Sequence, residues 1–310
     1  MPRIILVGLG AFGKNHLRVL QELSRKGFCE FVAAVDTRNL AGQFNEITFT
    51  NDLESVIHEC DAVDVVTPTD THYNLVRSCV MAGKDVLVEK PLATSWHEAN
   101  ELVQIAESQD RILMVGHIFR HHAATQHVRK MIEDGQIGAI KLLDGRYIGS
   151  PGPRNDSGVL LNLAIHHVDL YSYLLEELPI CVQANCCEFS GKGFDDIGIV
   201  ELRYASGAVG HISATWMSDQ KLRDMIAVGM KGAIAVDYTK NKVSLAKSSM
   251  SSEQHVVEGP EPLELELVHF VECIRSRHKP LSDGRSAAAA IKTIERAIVS
   301  SRTGCAVSID

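Results

Sequence analysis

The sequence predicts an α/β chain in two parts: a doubly wound parallel sheet at the N-terminal end, then an α+β domain with a large, mostly antiparallel sheet. Three observations carry this. Short apolar runs alternate with helical patterns as far as about residue 116, the order that builds parallel sheets covered on both faces. The first run leads through Val7-Gly8-Leu9-Gly10-Ala11-Phe12-Gly13 into a helix. Beyond Gly116 apolar runs follow one another through turns such as Ala205-Ser206-Gly207 and Met230-Lys231-Gly232, as hairpins do. At 310 residues the chain is long for one core and comfortable for two. The expected division is 1–120 and 121–310, with the last helix, about 285–301, packing back on the first domain.

In order, strands are expected at 4–7, 31–35, 62–66, 85–88 and 112–115, and helices at 14–25, 74–82 and 95–109. Asp70 or Thr71 is expected to cap the second helix and Gly83 to end it, in the left-handed conformation that glycine tolerates. Ser95 is a good N-cap for the third, with Glu98 at capping-box spacing. The second domain should open with a helix over 123–134 and a turn over 135–138. Strands follow at 140–147, 182–189, 197–204, 208–215, 224–229 and 233–236, interrupted by a helix over 164–175. The Ser-rich stretch 247–254 reads as a surface loop or hairpin end, and helices over 264–276 and 285–301 close the chain.

The glycine turn has a chemical reading. Gly8 suits a tight turn, Gly10 lets backbone approach a pyrophosphate, and Gly13 lets the helix pack close to the strand. Phosphates would then sit on the helix N-terminus, beside the backbone N–H groups of the turn that includes Ala11 and Phe12. Asp36, at the end of the second strand, could accept both ribose hydroxyls of an adenosine half, which favours NAD over NADP. Arg38, two positions later, weakens that preference because a guanidinium there could hold a 2′-phosphate.

Composition excludes other classes. With 31 basic and 39 acidic residues the net charge is -8, without a basic block, so neither nucleic acid nor an anionic membrane is expected as a partner. No signal peptide or membrane-spanning run is evident, and a soluble cytoplasmic protein is expected. Eight scattered cysteines without a C-x-x-C pair read as small buried apolar residues of a reducing compartment. His16, His58, His97 and His269 read as structural. His117 and His121 are four apart, as zinc ligands on one helix face would be, but no Glu or Cys completes a site nearby, so no metal is expected.

Taken with the glycine turn, three further stretches resemble one family. They are Val66-Thr67-Pro68 followed by His72; Ala82-Gly83-Lys84-Asp85-Val86-Leu87-Val88-Glu89-Lys90-Pro91-Leu92-Ala93; and Gly158-Val159-Leu160-Leu161-Asn162-Leu163-Ala164-Ile165-His166. Over almost its whole length the chain resembles the glucose-fructose oxidoreductase, inositol dehydrogenase and rhizopine-catabolism group, Gfo/Idh/MocA, whose first domain is a Rossmann fold. The resemblance implies that Lys90 lies beside the nicotinamide ribose and the substrate hydroxyl, supplying positive charge for a developing alkoxide. Pro91 would fix the turn, often as a cis peptide. It also implies that Thr67, Pro68, His72 and Glu89 line the cofactor cleft and that His166 is the general acid/base on the substrate.

The family usually has Asp where this chain has Asn162, which can orient a partner but cannot carry charge or relay a proton. On a helical turn, residue 162 would share a face with His166 and could touch it or the substrate. His167 and Asp169 read as helix surface or capping. Val115-Gly116-His117-Ile118-Phe119-Arg120 and the run 151–158 resemble the branch whose better known members oxidise the 3-hydroxyl of UDP-N-acetylglucosamine or a related UDP-sugar. Arg120 and Arg154 are the candidates for sugar or diphosphate contacts. Aromatic residues make up only 5% of the chain, leaving Phe119, Tyr147, Tyr171 and Trp216 as possible stacking platforms for a uracil.

The expected activity is NAD-dependent oxidation of a secondary hydroxyl of a sugar, foremost C3 of a UDP-N-acetylhexosamine, with Lys90, His166 and Asn162 at the reacting centre. A free sugar or inositol as substrate, or a dinucleotide-binding regulatory protein without turnover, are the alternatives. The resemblance further implies a homodimer or homotetramer paired through the open face of the second sheet.

Overall fold

The computed structural model describes every residue except 39, 41–46, 150, 151, 154, 155, 248–252 and 310. Arg154 therefore lies outside the described residues. The chain forms two compact units: Met1–Ile118 with Glu261–Ala288, and Phe119–Pro260 with Ala289–Asp310.

In the first unit β1 (Arg3–Val7), α1 (Gly13–Arg25), β2 (Glu30–Val35), β3 (Phe49–Thr50), β4 (Ala62–Val65), α2 (Thr69–Met81), β5 (Asp85–Glu89), α3 (Trp96–Ser108) and β6 (Leu113–Gly116) alternate as expected. The six strands run parallel in the order β3-β2-β1-β4-β5-β6. The order reverses between β1 and β4, and open α/β sheets hold their ligands outside the carboxyl ends of the strands at such a point. Ser95 caps α3 by accepting the Glu98 N–H at 3.3 Å. Gly83 ends α2 at φ +74. That helix starts five residues earlier than the apolar pattern suggested, at Thr69 behind Pro68, and neither Asp70 nor Thr71 is its cap. Proline's fixed φ and absent N–H suit a helix entry without any side-chain cap.

This unit also takes back 261–288, where the sequence reading assigned everything after 120 to the second domain. The last helix, 285–301, returns only with its first residues, to Ala288; the main returning helix is α6 (Pro262–Ser276). Its apolar positions Leu263, Leu267 and Phe270 fall on one face, and they join Ile4, Leu6, Leu17 and Leu20 in a single core.

The second unit opens with α4 (Ala123–Glu133), then β7 (Ile140–Ile148) and α5 (Ile165–Leu175). Strands β8 (Cys181–Cys187), β9 (Ile197–Arg203), β10 (Val209–Thr215), β11 (Leu222–Gly229), β12 (Gly232–Asp237), β13 (Lys242–Lys247), β14 (Glu253–Val256) and β15 (Val307–Ser308) complete its nine-stranded sheet. The order is β14-β13-β12-β11-β7-β10-β9-β8-β15, antiparallel at every pairing except β7 with β10. β13 pairs antiparallel with β14, so residues 247 and 253–254 of the polar stretch belong to strands, and 248–252 lie outside the described residues. The edge strand β14 is exposed throughout and carries no apolar alternation, whereas Val243 and Leu245 of β13 alternate inward. The last helix, α7 (Gly284–Thr303), serves this sheet at its C-terminal end, where Ser300 and Ser301 hydroxyls accept the N–H groups of Ala184 and Cys186.

Helix α5 is apolar nearly all round, and all but three of its residues are buried. It approaches the sheet through Gly145 of β7, where an added Cβ would stand 2.4 Å from the His167 ring and 2.5 Å from the Tyr171 hydroxyl. Residues Leu160–Ala164, just before it, form a π-helical turn.

Candidate active site

In the first unit the glycine turn is built as the chemistry requires. Gly8 sits at φ +102 and gives its N–H to the Val35 carbonyl at 2.8 Å. A Cβ there would lie 2.2 Å from the Val66 carbonyl oxygen. Gly13 starts α1 so close to the turn that a Cβ would meet the Gly8 oxygen at 2.0 Å. Above Gly10 nothing lies within 4 Å of an added Cβ. The turn therefore leaves room over Gly10, and α1 carries no acidic residue in its first turn to oppose an anion. These features fit a dinucleotide pyrophosphate.

Asp36 follows β2 and faces the glycine turn. Its Oδ2 accepts the Leu9 N–H at 2.8 Å, so the carboxylate holds the glycine turn itself. Arg38 contributes its backbone N–H at 3.0 Å and its guanidinium at 2.8 and 2.7 Å to the same carboxylate. Those Arg38 bonds, with the Leu9 N–H, hold the Asp36 carboxyl far below the usual carboxylate range. The Arg38 side chain is itself 58% exposed.

At the ends of β4 and β5 two turns are tied together by His72. Its ring nitrogens lie 2.8 Å from the Pro91 carbonyl and 2.9 Å from the Thr67 carbonyl. The side chain is 1% exposed, so it sits behind the Thr67-Pro68 and Lys90-Pro91 turns as a clamp. Burial lowers its pKa against the pull of the two carbonyls. The Lys90-Pro91 peptide is cis. Glu89 faces inward: its Oε2 accepts the Lys90 N–H at 3.2 Å and its Oε1 is 3.4 Å from His16 Nε2.

His16, expected from the sequence to be structural, is buried against Glu89. Its Nδ1 bonds Asp64 at 2.8 Å, with both side chains almost wholly enclosed. Burial opposes charge on His16, but Asp64 and Glu89 outweigh it and raise the imidazole to about 10. Glu266 of α6 faces the same group. Enclosure, then the carboxylates of Glu89 and Asp64, push its carboxyl well above the ordinary value. The sequence did hold a signal: Asp64 interrupts the apolar run Ala62-Val63-Asp64-Val65-Val66, and a buried carboxylate needs a partner.

In the second unit His166, 6% exposed, lies among aromatic rings. Tyr147 stacks on it at 5.3 Å and an 11° angle, and Phe119 meets it edge-on at 5.1 Å. The Arg223 guanidinium lies 4.7 Å from the Tyr147 ring centroid, and Tyr238 packs edge-on to Phe119 at 4.8 Å. Asn162, in the π-helical turn, gives its amide to the Ser157 hydroxyl at 2.5 Å and reaches the Gly158 carbonyl at 3.4 Å.

Three expectations change here. Arg120 is not an outward hand for substrate: it makes a bidentate pair with Asp169 at 2.8 and 2.6 Å, the two side chains 7% and 1% exposed. Asp169 and His167 are not helix surface but core. His167 reaches the Asp224 carbonyl at 3.0 Å, and burial takes its pKa down to about 4, so the ring is neutral and donates there. Tyr171 and Trp216 are core as well, their polar atoms given to the His211 carbonyl and to Asp196. Phe119 and Tyr147 remain beside His166. The physical reason is common to all: α5 lies flat on the sheet, so even its polar side chains are enclosed and must find partners.

A parallel sheet with a built dinucleotide turn, joined to an α+β unit that carries an enclosed histidine, defines a nucleotide-dependent oxidoreductase. The comparisons agree. Residues 2–117 match the oxidoreductase family with an NAD-binding Rossmann fold, and residues 125–235 match the Gfo/Idh/MocA C-terminal domain. The chain belongs to the Gfo/Idh/MocA oxidoreductase family. It is 29% identical over 254 residues to inositol 2-dehydrogenase of Rhizobium meliloti, covering 76% of this chain and 75% of that one. It is 26% identical over 242 residues to UDP-N-acetylglucosamine 3-dehydrogenase of Acidithiobacillus ferrooxidans, covering 77% and 75%. The solved structure of the latter enzyme superposes with a TM-score of 0.88 at 23% identity, covering 97% of this chain and 98% of that one. Among the described residues no helix is long and apolar enough to cross a membrane.

Proposed function

We propose that this chain is an NAD-dependent dehydrogenase of a secondary hydroxyl on a sugar ring or cyclic polyol, with Lys90 and His166 as its catalytic groups. The observation that carries it is His166 held between Tyr147 and Phe119, a titratable base whose ring is fixed by aromatic packing. Gly8, Gly10, Ala11, Phe12 and Gly13 would hold the pyrophosphate, Asp36 the adenosine ribose, and Thr67, Pro68 and Lys90 the nicotinamide end. The bound NAD supplies the hydride acceptor. His166 takes the hydroxyl proton, a transfer that contributes roughly 10²- to 10⁴-fold in such sites. The Lys90 ammonium stabilises the alkoxide charge that develops. Glu89 and His72 are positioning residues: one bonds the Lys90 backbone N–H, the other the Pro91 carbonyl. Asn162 orients the turn before His166 through Ser157 and leaves proton transfer to the histidine.

Asp36 favours NAD over NADP. Arg38 does not reverse that while its guanidinium serves the carboxylate.

Two substrate classes remain within this reading. The relative named UDP-N-acetylglucosamine 3-dehydrogenase supports oxidation at C3 of a UDP-N-acetylhexosamine. The placement of Tyr171, Trp216 and Arg120 in the core removes three groups that would serve a uridine diphosphate, and the relative named inositol 2-dehydrogenase supports a compact ring. The geometry favours the compact ring. The test is nicotinamide absorbance at a fixed enzyme concentration with NAD, on mixing with free sugars, inositols, UDP-N-acetylglucosamine and its uronate. Reduction by a free polyol or sugar supports the favoured class, and reduction by the UDP-sugars alone overturns it. No redox change with any of them, in protein shown to bind NAD, would count against the dehydrogenase itself. Ile199 and Ile226, exposed on the second sheet, suit pairing of two copies through that face; sedimentation as a monomer would overturn this part of the proposal.

A further inference from the structure

Helix α6 carries His269 and Cys273 four residues apart, on one face of the helix. The helix ends at Arg277, whose left-handed φ of 58° lets its N–H return to the Cys273 carbonyl at 2.8 Å. That reversal brings His278 back over the last turn. The Cys273 Sγ then lies 3.4 Å from His269 Nε2 and 3.3 Å from His278 Nε2, and the three candidate ligand atoms lie within 4.8 Å of one another. The sulfur is buried, and His278 is exposed at the mouth.

The hydrogen bonds around the cluster settle which ring nitrogens face inward with a lone pair. The Ser276 hydroxyl donates its one proton to the Glu272 carbonyl at 2.6 Å, so in its contact with His278 Nδ1 it accepts. His278 is therefore protonated on Nδ1, and its Nε2 is the basic nitrogen turned to the sulfur. His269 Nε2 accepts the Leu281 N–H at 2.9 Å, which makes it the basic nitrogen of that ring. His278 is thus held with Nε2 toward the thiol by an outer partner on Nδ1, as metal-binding histidines are oriented, while His269 Nε2 lies beside the same thiol and accepts the Leu281 N–H. Around a tetrahedral zinc, with Zn–S of about 2.3 Å and Zn–N of about 2.0–2.1 Å, a sulfur and a nitrogen stand ~3.5 Å apart. The two separations in the cluster are close to that edge, and binding requires His269 Nε2 to exchange the Leu281 N–H for the cation.

We propose that His269, Cys273 and His278 form a three-ligand site for a borderline-soft divalent d-block cation, Zn²⁺ in the first place, with solvent in the fourth position at the exposed His278 side. Thiolate and imidazole together select such a cation over Mg²⁺ or Ca²⁺. Binding takes the thiol proton, which is released to solvent as the Cys273 sulfur–metal bond forms. The His269 lone pair is transferred from the Leu281 N–H to the cation. Burial holds the free thiol up at about 12, so the cation, rather than bulk pH, is what deprotonates it. The clamp would join the C-terminal end of α6 to the segment that follows it. It is separate from the dinucleotide turn and from any step assigned to Lys90 or His166.

The test uses the full chain, reduced and stripped with a chelator, titrated with Co²⁺ and followed by absorbance. One equivalent should bring the near-ultraviolet thiolate-to-cobalt band and the visible bands of a tetrahedral ion, and Zn²⁺ should abolish both by displacement. Cys273→Ser should lose the charge-transfer band, and His278→Gln, at an exposed position, should weaken Co²⁺ at least tenfold while its circular dichroism matches the parent. Absence of the band in the parent chain overturns the site. So does its persistence in Cys273→Ser, which would assign it to other cysteines such as the exposed Cys187 and Cys305, or an unchanged affinity in His278→Gln.

Discussion

Replacing Asp169 by Ala separates two roles for Arg120. The carboxylate accepts from both Nε and Nη2 of a guanidinium that is 7% exposed. Removing one partner of such an enclosed pair costs about 3–5 kcal/mol, because the remaining charge keeps its desolvation penalty and loses its compensation. For a unit of this size each kcal/mol moves the midpoint by roughly 2–4 °C, so a fall on the order of 10 °C is expected. Thermal unfolding followed by circular dichroism, with cofactor absent, measures it. The double variant Arg120→Met/Asp169→Leu should recover most of the loss, since an enclosed ion pair is often no more stabilising than apolar side chains of similar volume. A midpoint within 2 °C of the parent, accompanied by a raised KM, would refute the reasoning and return Arg120 to the substrate.

Gly13→Ala forces a methyl to within 2.0 Å of the Gly8 oxygen, so α1 must move off the turn and NAD affinity should fall at least tenfold by fluorescence titration; near-parental affinity would contradict the close approach. Asp36→Ala should weaken NAD more than NADP, and the reverse ranking in the same titration would overturn the cofactor preference. Lys90→Met should leave NAD binding nearly intact and remove turnover, so parental turnover would sink the assigned role. His167 has a pKa near 4 in the fold against about 6.5 unfolded. Its neutral form is favoured by folding, so the stabilisation is whole above pH 6.5 and is lost as pH falls towards 4. The loss amounts to about 3 kcal/mol by linkage. His167→Gln should flatten that part of the stability–pH curve, and an unchanged slope in urea unfolding would argue against it.

The glycine turn and the sheet that holds it were legible because their causes are local. Period and turn chemistry mark β1, α1 and β2, and Gly13 meets the Gly8 oxygen of its own turn, whereas the crowding at Gly8 comes from Val66 after β4. Edge strand β14 falls in the stretch expected to be a surface loop or hairpin end because its exposed residues lack alternation, whereas Val243 and Leu245 of β13 do alternate. The sequence does not single out α6 as the main returning helix, because 264–276 and 285–301 are both amphipathic and only the surface that accepts each distinguishes them.

What the sequence by itself determined was the two-part α/β architecture, the family, and the residues offered to a dinucleotide. Tertiary structure alone decided which polar side chains are spent internally. Arg120 goes to Asp169, His72 to two carbonyls, and His16 to Asp64 and Glu89. A residue's type states which bonds it can make. Only enclosure, which removes water as the alternative partner, dictates the bonds it must make.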